Sequence, residues 1–454
     1  MVMAWKRRSS PLMNPIFALL CLTLLVAQFA LPRRYAFAPL LVAVCHFQNV
    51  PVIQLGVSFS IFKLVIMAGL LRAWAAGTLG WSNRQQVDVL FALWACWMIL
   101  SGFAHHPKDH NPMTIRLSIV YDFAGAYLYA RAFLKNQEDF LRFIRCLAFV
   151  VLPLALLVLV ERAIHRDLYG VIGGGIVDPE VRGGRVRAAG PFGHAILLGT
   201  FAATSVPLIL ALWRRHSRCS FAGLVACGLI VVCSASSGPI LTLLSGLLGL
   251  AVWRWRTSVG RIRTLIILGF FALQLVMEAP VWYLMARIDL AGGSTGWHRA
   301  ELITAALKHF DEWWFIGTDY TRHWISYGVG WTQYHVDLTN AYIYMAVTGG
   351  LPLMLCFIAI LVKTFQMLGQ GMRPMREAKD PDEFILWCVG ASLLAHCFTF
   401  LSISYFDQNI VILGLVLGSV AGLCAVCPDT SRAGGDEPWP EDGADEKTLA
   451  AQGS

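Results

Sequence analysis

The chain has 454 residues, 57% of them hydrophobic and only 14% charged, with a formal net charge of +8. So large an apolar share cannot be buried in one water-soluble core, which excludes an ordinary soluble enzyme and a disordered chain alike. The positive balance comes mostly from short basic clusters between apolar runs, the pattern that fixes membrane orientation and touches anionic lipid, so it points to a membrane and not to nucleic acid.

A helix crossing the hydrocarbon of a bilayer needs about 20 mostly apolar residues, because its backbone polar groups must be satisfied internally. Apolar run length predicts an all-α, polytopic membrane helix bundle with spans at 12–31, 53–75, 87–104, 115–133, 142–161, 190–213, 219–234, 236–254, 263–284, 339–366, 383–403 and 405–426. That makes about twelve crossings, the first an uncleaved helix because no small-x-small cleavage site closes it.

Orientation follows from Lys6, Arg7 and Arg8, Arg72, Lys135 to Arg145, Arg214, Arg215 and Arg218, Arg254 to Arg263, and Lys363 to Arg376. They fall on one side if both termini are cytoplasmic, which places the longer loops Glu161–Ala189 and Met285–Leu338 on the periplasmic side, the second just before the last three helices. Arg33 and Arg34 would then lie outside. The following segment, Pro39–Phe47, is too short to span and reads as interfacial or re-entrant; the alternative, a thirteenth crossing, would put the N-terminus outside. Residues 1–427 form one transmembrane domain, and the acidic, Gly- and Pro-rich residues 428–454 are expected to be a disordered cytoplasmic tail. The 12 cysteines lie in or beside predicted helices and read as small hydrophobes.

Chemistry-bearing residues gather in the outer loops. Val181-Arg182-Gly-Gly-Arg185-Val-Arg187 runs into Gly190-Pro191-Phe192-Gly193-His194, against the inside-positive bias. These guanidiniums could hold a phosphate-bearing ligand through bidentate hydrogen bonds. The alternative is that they snorkel to head groups or pair with Asp178 and Glu180. The second loop carries Trp297-His298-Arg299-Ala-Glu301, with Ser294 or Thr295 as a helix cap and Arg299 in the first turn, well placed for a phosphate. Beyond it come Trp313 to Gly317, Arg322-His323-Trp324 and Tyr334-His335-Val-Asp337-Leu-Thr339-Asn340. The aromatics fit an interfacial belt, and His335 or Asp337 could act as a general base for a sugar hydroxyl. His105, His106 and His110 match no metal-ligand spacing, so no metal site is expected. No nucleotide-binding glycine loop, Cys-x-x-Cys pair or His-Glu-x-x-His helix occurs, and no internal repeat of a transporter is visible.

Four landmarks carry a resemblance: Arg185-Val-Arg187-Ala-Ala-Gly-Pro-Phe-Gly-His194; the turn Cys233-Ser-Ala-Ser-Ser-Gly238; Arg299-Ala-Glu301 before Phe315-Ile-Gly317; and Thr339-Asn340-Ala-Tyr342 before Val347-Thr-Gly349-Gly350-Leu351-Pro352. Over roughly Arg33 to Val426 the chain resembles the O-antigen ligases and the related O-antigen and exopolysaccharide polymerases, membrane glycosyltransferases of the C type. The resemblance implies inverting transfer of an undecaprenyl-diphosphate-linked glycan to a glycan or lipid A-core acceptor at the periplasmic face of the bacterial inner membrane, with no nucleotide, cofactor or required metal. Carried over by motif, Arg187 and Arg299, supported by Arg185 and Arg322, would engage the diphosphate. Many ligases have His-Asn where this chain has Thr339-Asn340, so either His335 or Asp337 replaces that histidine or the acceptor is not lipid A-core. Two other readings stand beside the enzyme: a lipid-linked oligosaccharide flippase of the same pathway, and a scaffold that binds other polysaccharide assembly proteins.

Overall fold

The computed structural model describes residues 15–50, 52–55, 57–78, 84–106, 111–172, 179–288, 296–325 and 333–424. The all-α expectation holds. In chain order come α1 (Pro15–Ala30), α2 (Phe37–His46), a hairpin of β1 (Ile53–Leu55) and β2 (Val57–Phe59), α3 (Ile61–Ala75), α4 (Gln86–Gly102), α5 (Pro112–Phe133) and α6 (Gln137–Ile164). A second hairpin, β3 (Glu180–Arg182) and β4 (Arg185–Arg187), precedes α7 (Ala195–Leu210), α8 (Ser217–Cys233), α9 (Ser237–Ala251) and α10 (Val259–Val276). The chain then forms α11 (Gly296–Lys308), α12 (Phe310–Trp313), α13 (Ala341–Glu377), α14 (Glu383–Thr399) and α15 (Gln408–Cys424). The stretches Gln137–Ile164, Ser237–Val276 and Ala341–Glu377 are long and apolar enough to cross a membrane, and six shorter helices are apolar as well. These are the helices of a membrane protein.

Asparagines start several of them. Asn111 accepts from the Met113 N–H ahead of Pro112, Asn136 from Asp139 N–H, and Asn340 from both Tyr342 and Ile343 N–H, each satisfying donors that a helix start leaves open. α13 is interrupted at Gly349 and Gly350, the latter at φ 73°. A side chain on Gly350 would collide with the Phe315 carbonyl, and one on Gly317 with the Val347 carbonyl. Thr318 N–H donates to Val347 O at 2.9 Å and Leu351 N–H to Trp314 O at 2.8 Å. These glycines therefore pin the second loop onto α13 by direct backbone approach.

The bundle has two chemically distinct ends. At one, Arg215 pairs with Glu138 and Asp382, Arg256 and Arg376 with Glu383, and Lys135 Nζ reaches Thr78 O. At the other, Gln48 binds Asp167, Asn49 binds Asp407, and the β3–β4 hairpin and α11 lie together. Among the described residues, the basic clusters thus meet at one end and the long loops at the other.

Several boundaries differ from the sequence reading. Residues 53–59 are a hairpin and not the start of a span; the alternation Ile53-Gln54-Leu55 and Val57-Ser58-Phe59 is a strand pattern that run length overlooks. The 263–284 span ends at Val276, because Met277 is extended ahead of Pro280 and a 3-10 turn follows at Val281–Arg287. The 405–426 span begins only at Gln408, and the 190–213 span at Ala195, after a turn in which Gly190 takes φ 55°.

The N-terminal topology changes more. Arg33 approaches Asp139 at 4.0 Å and Arg72 donates to Gln28 O at 2.7 Å, so residues 28–34 lie at the basic end and not among the outer loops. α2 runs back from there to Phe47, whose ring meets Phe17 at the far end of α1. Leu40 and Leu41 are fully buried, which rules out an interfacial lie. Pro15 and Cys424 therefore sit at opposite ends of the bundle, and the termini beyond them lie outside the described residues. Residues 6–8, Asp178, Ser294, Thr295, His110 and the 428–454 tail lie outside the described residues.

Candidate functional site

Glycines at positive φ, Gly183 and Gly184, turn the first basic loop into the β3–β4 hairpin, with Glu180 paired to Arg187 and Arg182 to Arg185. The hairpin is anchored from below. Glu161, 1% exposed at the end of α6, accepts from the N–H groups of Ala189 and Gly190 at 2.9 and 3.0 Å. Ala188 N–H donates to Cys233 O at 3.2 Å.

Within this frame Arg187 is already satisfied. Its Nη1 donates to Glu180 at 2.6 Å, while Nη2 and Nε donate to Ser236 Oγ at 2.6 and 3.2 Å. Ser236 belongs to the Cys233–Gly238 turn, so two of the landmarks meet through the Arg187–Ser236 hydrogen bonds. Arg182 also faces Glu180, at 3.4 Å, with its side chain 42% exposed. Arg185 points outward on the hairpin. His194 caps α7 by accepting from Ile196 N–H at 3.1 Å, with Nε2 3.6 Å from Glu180. Burial and the neighbouring Arg187 charge push its imidazole down to about 4, against the opposing pull of Glu180.

Arg299 is different. From the first turn of α11 its Nε donates to Ser402 O at 2.9 Å, and its two terminal nitrogens make no hydrogen bond among the described residues. Burial pulls its pKa below the ordinary value; Asp337 opposes this, and the charges of Arg182 and Arg187 add to it. The four groups therefore feel one another at one end of the bundle, which brings together arginines more than a hundred positions apart. Asp337 is held there by its own backbone: its carbonyl accepts from His298 Nε2 at 3.0 Å, and Ser404 Oγ donates to the next carbonyl, Leu338 O, at 2.5 Å. Its carboxylate makes no ion pair or hydrogen bond among the described residues and is partly exposed.

The other expected residues sit elsewhere. Arg322 and His335 flank Trp324 and Val336, two members of a second, smaller core. Thr321 and Arg322 N–H both donate to Tyr334 O, and His335 Nδ1 contacts Thr321 Oγ1 at 3.2 Å. Arg322 Nη1 is buried without a hydrogen-bond partner among the described residues, so it is not aligned with Arg299 by any bond seen here. Asn340, which follows Thr339 where many ligases have His-Asn, is 2% exposed and serves as the α13 cap.

Sequence reading overlooked the charges inside the bundle. Lys63 of α3 and Asp122 of α5 form a buried pair at 3.4 Å, with Lys63 Nζ donating to Ser118 at 2.5 Å and one Asp122 oxygen left without a partner. Arg116 crosses from α5 to Met98 O, Ser101 and Thr348 O. The signal was present: a lone Lys in an apolar run needs a partner. His105, read as a loop residue, lies 3.7 Å from Asp319 and 3.1 Å from Arg116.

No protein-family model matches this chain, and neither does any curated protein sequence.

Proposed function

We propose that this chain is a membrane glycosyltransferase that moves a glycan from an undecaprenyl-diphosphate carrier to an acceptor at the outer face of the bacterial inner membrane. The observation that carries the reading is Arg299: a buried-stem guanidinium with two unbonded terminal nitrogens, set among Arg182, Arg187 and the open carboxylate of Asp337. Such a fork suits a diphosphate, and fixed positive charge stabilises that group most as it departs. In the transfer, Asp337 takes the proton of the acceptor hydroxyl, whose oxygen bonds the anomeric carbon as the carbon–phosphate-oxygen bond breaks. The diphosphate leaves with the electron pair, against Arg299 and Arg182. Arg187, held by Glu180 and Ser236, keeps the hairpin in place beside them.

Inside-positive bias supports assigning the basic end to the cytoplasm and the Arg299 end to the periplasm. On that assignment twelve longer helices cross, and α2 makes a short thirteenth pass. Its 10 residues rise about 15 Å, and beyond them the chain turns at Val50, whose N–H donates to Gln48 O at 2.7 Å. The N-terminus would then be outside.

A second reading, a lipid-linked oligosaccharide flippase, draws on the buried Lys63–Asp122 pair, because intramembrane charges mark transport pathways in other membrane proteins. Purified protein in lipid with an undecaprenyl-diphosphate oligosaccharide as donor separates the two. Longer lipid-linked chains lost in Arg299→Ala support a polymerase, and transfer only after lipid A-core is added supports a ligase. Carrier movement across the bilayer with no transfer to any acceptor overturns the enzyme in favour of the flippase.

A further inference from the structure

Away from the arginine site, the second loop closes on itself through three side chains that the transfer reading does not use. His309 and Glu312 are three residues apart where α11 passes into α12, a spacing that puts them on one helical face. His323 arrives from the 3-10 turn at Arg322–Trp324. His309 Nδ1 and His323 Nε2 each lie 2.8 Å from the same oxygen of Glu312, Oε1, and the three ligand-type atoms all lie within 4.8 Å of one another.

The surroundings hold these groups in place. The second Glu312 oxygen accepts from Trp324 Nε1 at 2.9 Å. His309 stacks parallel to Trp324, with 5° between planes, and His323 stacks on Tyr320, with 11° between planes. Oriented imidazoles and an orienting bond on the carboxylate are what the outer shell of a metal site provides.

We propose that His309, Glu312 and His323 bind one borderline-soft divalent cation of the Zn2+ class, with the fourth position open to water. Two imidazoles and one carboxylate suit Zn2+ and its Co2+ surrogate and do not suit the all-oxygen preference of Mg2+ or Ca2+. Tetrahedral bonds of about 2.0–2.2 Å place ligand atoms roughly 3.3 Å apart, so the cluster needs only small rotations about its side-chain bonds. His323, 38% exposed, leaves the open position on the solvent side.

The ion would act as a clip. It would join the α11–α12 junction to the turn at 322–324, and that turn is bonded through Thr321 and Arg322 N–H to Tyr334 O, on the segment that carries His335 and Asp337. Occupancy would steady this segment without touching a reacting atom, so the proposal stands or falls independently of the transferase reading.

The test uses full-length, tag-free protein in lipid nanodiscs, stripped with chelator and titrated with Zn2+ against an indicator dye, with Co2+ absorption as the geometric readout. One equivalent of tight Zn2+ and the intense visible bands of tetrahedral Co2+ are expected. His309→Ala and His323→Asn should each weaken binding by at least about 10-fold, and Trp324→Phe, which removes the orienting bond and shrinks the ring stacked on His309, by about 10-fold. Zn2+ should also slow hydrogen exchange over residues 321–325 and 333–337 in the wild type but not in His323→Asn. His323 is exposed, so His323→Asn carries the test even if Glu312→Gln fails to fold. No stoichiometric binding, or binding that His309→Ala and His323→Asn leave intact, overturns the site. Binding without slowed exchange overturns the clip.

Discussion

The two outer loops present the same sequence signal, arginine beside glycine at the entrance to a helix, and the structure uses it in opposite ways. In the first loop Arg187 is 3% exposed and fully bonded, to Glu180 and Ser236, on a hairpin whose base is capped by Glu161. In the second loop Arg299 is bonded through Nε alone and its fork is open. The difference lies in the nearest carboxylate. Glu180 is paired with Arg187 across its own hairpin, whereas Asp337 comes from a separate segment and stops short of an ion pair with Arg299. A bonded guanidinium costs a ligand the breaking of that pair; an open one is ready to receive charge. The first loop is accordingly a support and the second a binding element.

The strongest challenge to that division is removal of the support. Glu161→Ala leaves the Ala189 and Gly190 N–H groups buried without acceptors, at about 1–3 kcal/mol each, so about 2–6 kcal/mol in all. Folded protein should fall sharply, read as the yield of monodisperse material and the melting midpoint. Unchanged stability would mean that the hairpin is not pinned. Arg299→Ala should do the reverse: a loss of about 10²–10³-fold in transfer, with the melting midpoint unchanged.

How much of this could be read from the sequence depends on the kind of fact. Helical class, the basic clusters and the two long loops follow from composition and run length, because the bilayer demands them of any spanning segment. Burial does not. α10 and α15 are of similar length and both apolar, yet α10 buries none of its residues and α15 buries every position from Gln408 to Gly422. Gly414, Gly418 and Gly422 bring α15 against α5 so closely that side chains there would collide with the Phe123, Tyr127 and Leu134 carbonyls, whereas Gly260 and Gly269 of α10 face open space. That four-residue glycine spacing was legible as a helix-contact signal. The meeting of Arg299 with Asp337 and Arg182 was not, because it depends on how loops pack. Nor was the satisfaction of Arg187, since Asp178, Glu180 and lipid were all plausible partners by spacing.

A double-mutant cycle sharpens the contrast between the two arginines. Arg187→Met removes the guanidinium from Ser236 and the nearest donor from Glu180, which keeps Arg182 at 3.4 Å. Glu180 is 29% exposed, so the cost should lie near roughly 1–3 kcal/mol, below the figure for a fully buried pair. Adding Glu180→Gln should restore most of it, and the coupling between the two is the measured quantity. Transfer by the double variant should stay within about tenfold of wild type, a loss of no more than about 1.4 kcal/mol in barrier. A loss as deep as that of Arg299→Ala would make Arg187 a ligand of the diphosphate and erase the distinction.

The smallest effect tests whether the hairpin truly closes over its neighbours. His194 is held at about 4 by burial and by the Arg187 charge, below the ordinary histidine value of about 6.5. Between those two values the unfolded chain binds more protons than the folded one, so this contribution to stability is complete above the ordinary value and is lost as pH falls through the window. His194→Asn keeps a side-chain acceptor for the Ile196 N–H, as a helix cap requires, and removes the titration. The wild-type melting midpoint should therefore drop relative to His194→Asn as pH is lowered from 6.5 toward 4, by a few degrees, and the gap should narrow in the Arg187→Met background. Parallel pH profiles for wild type and His194→Asn would mean that the hairpin and Arg187 do not perturb His194, whose side chain is 35% exposed.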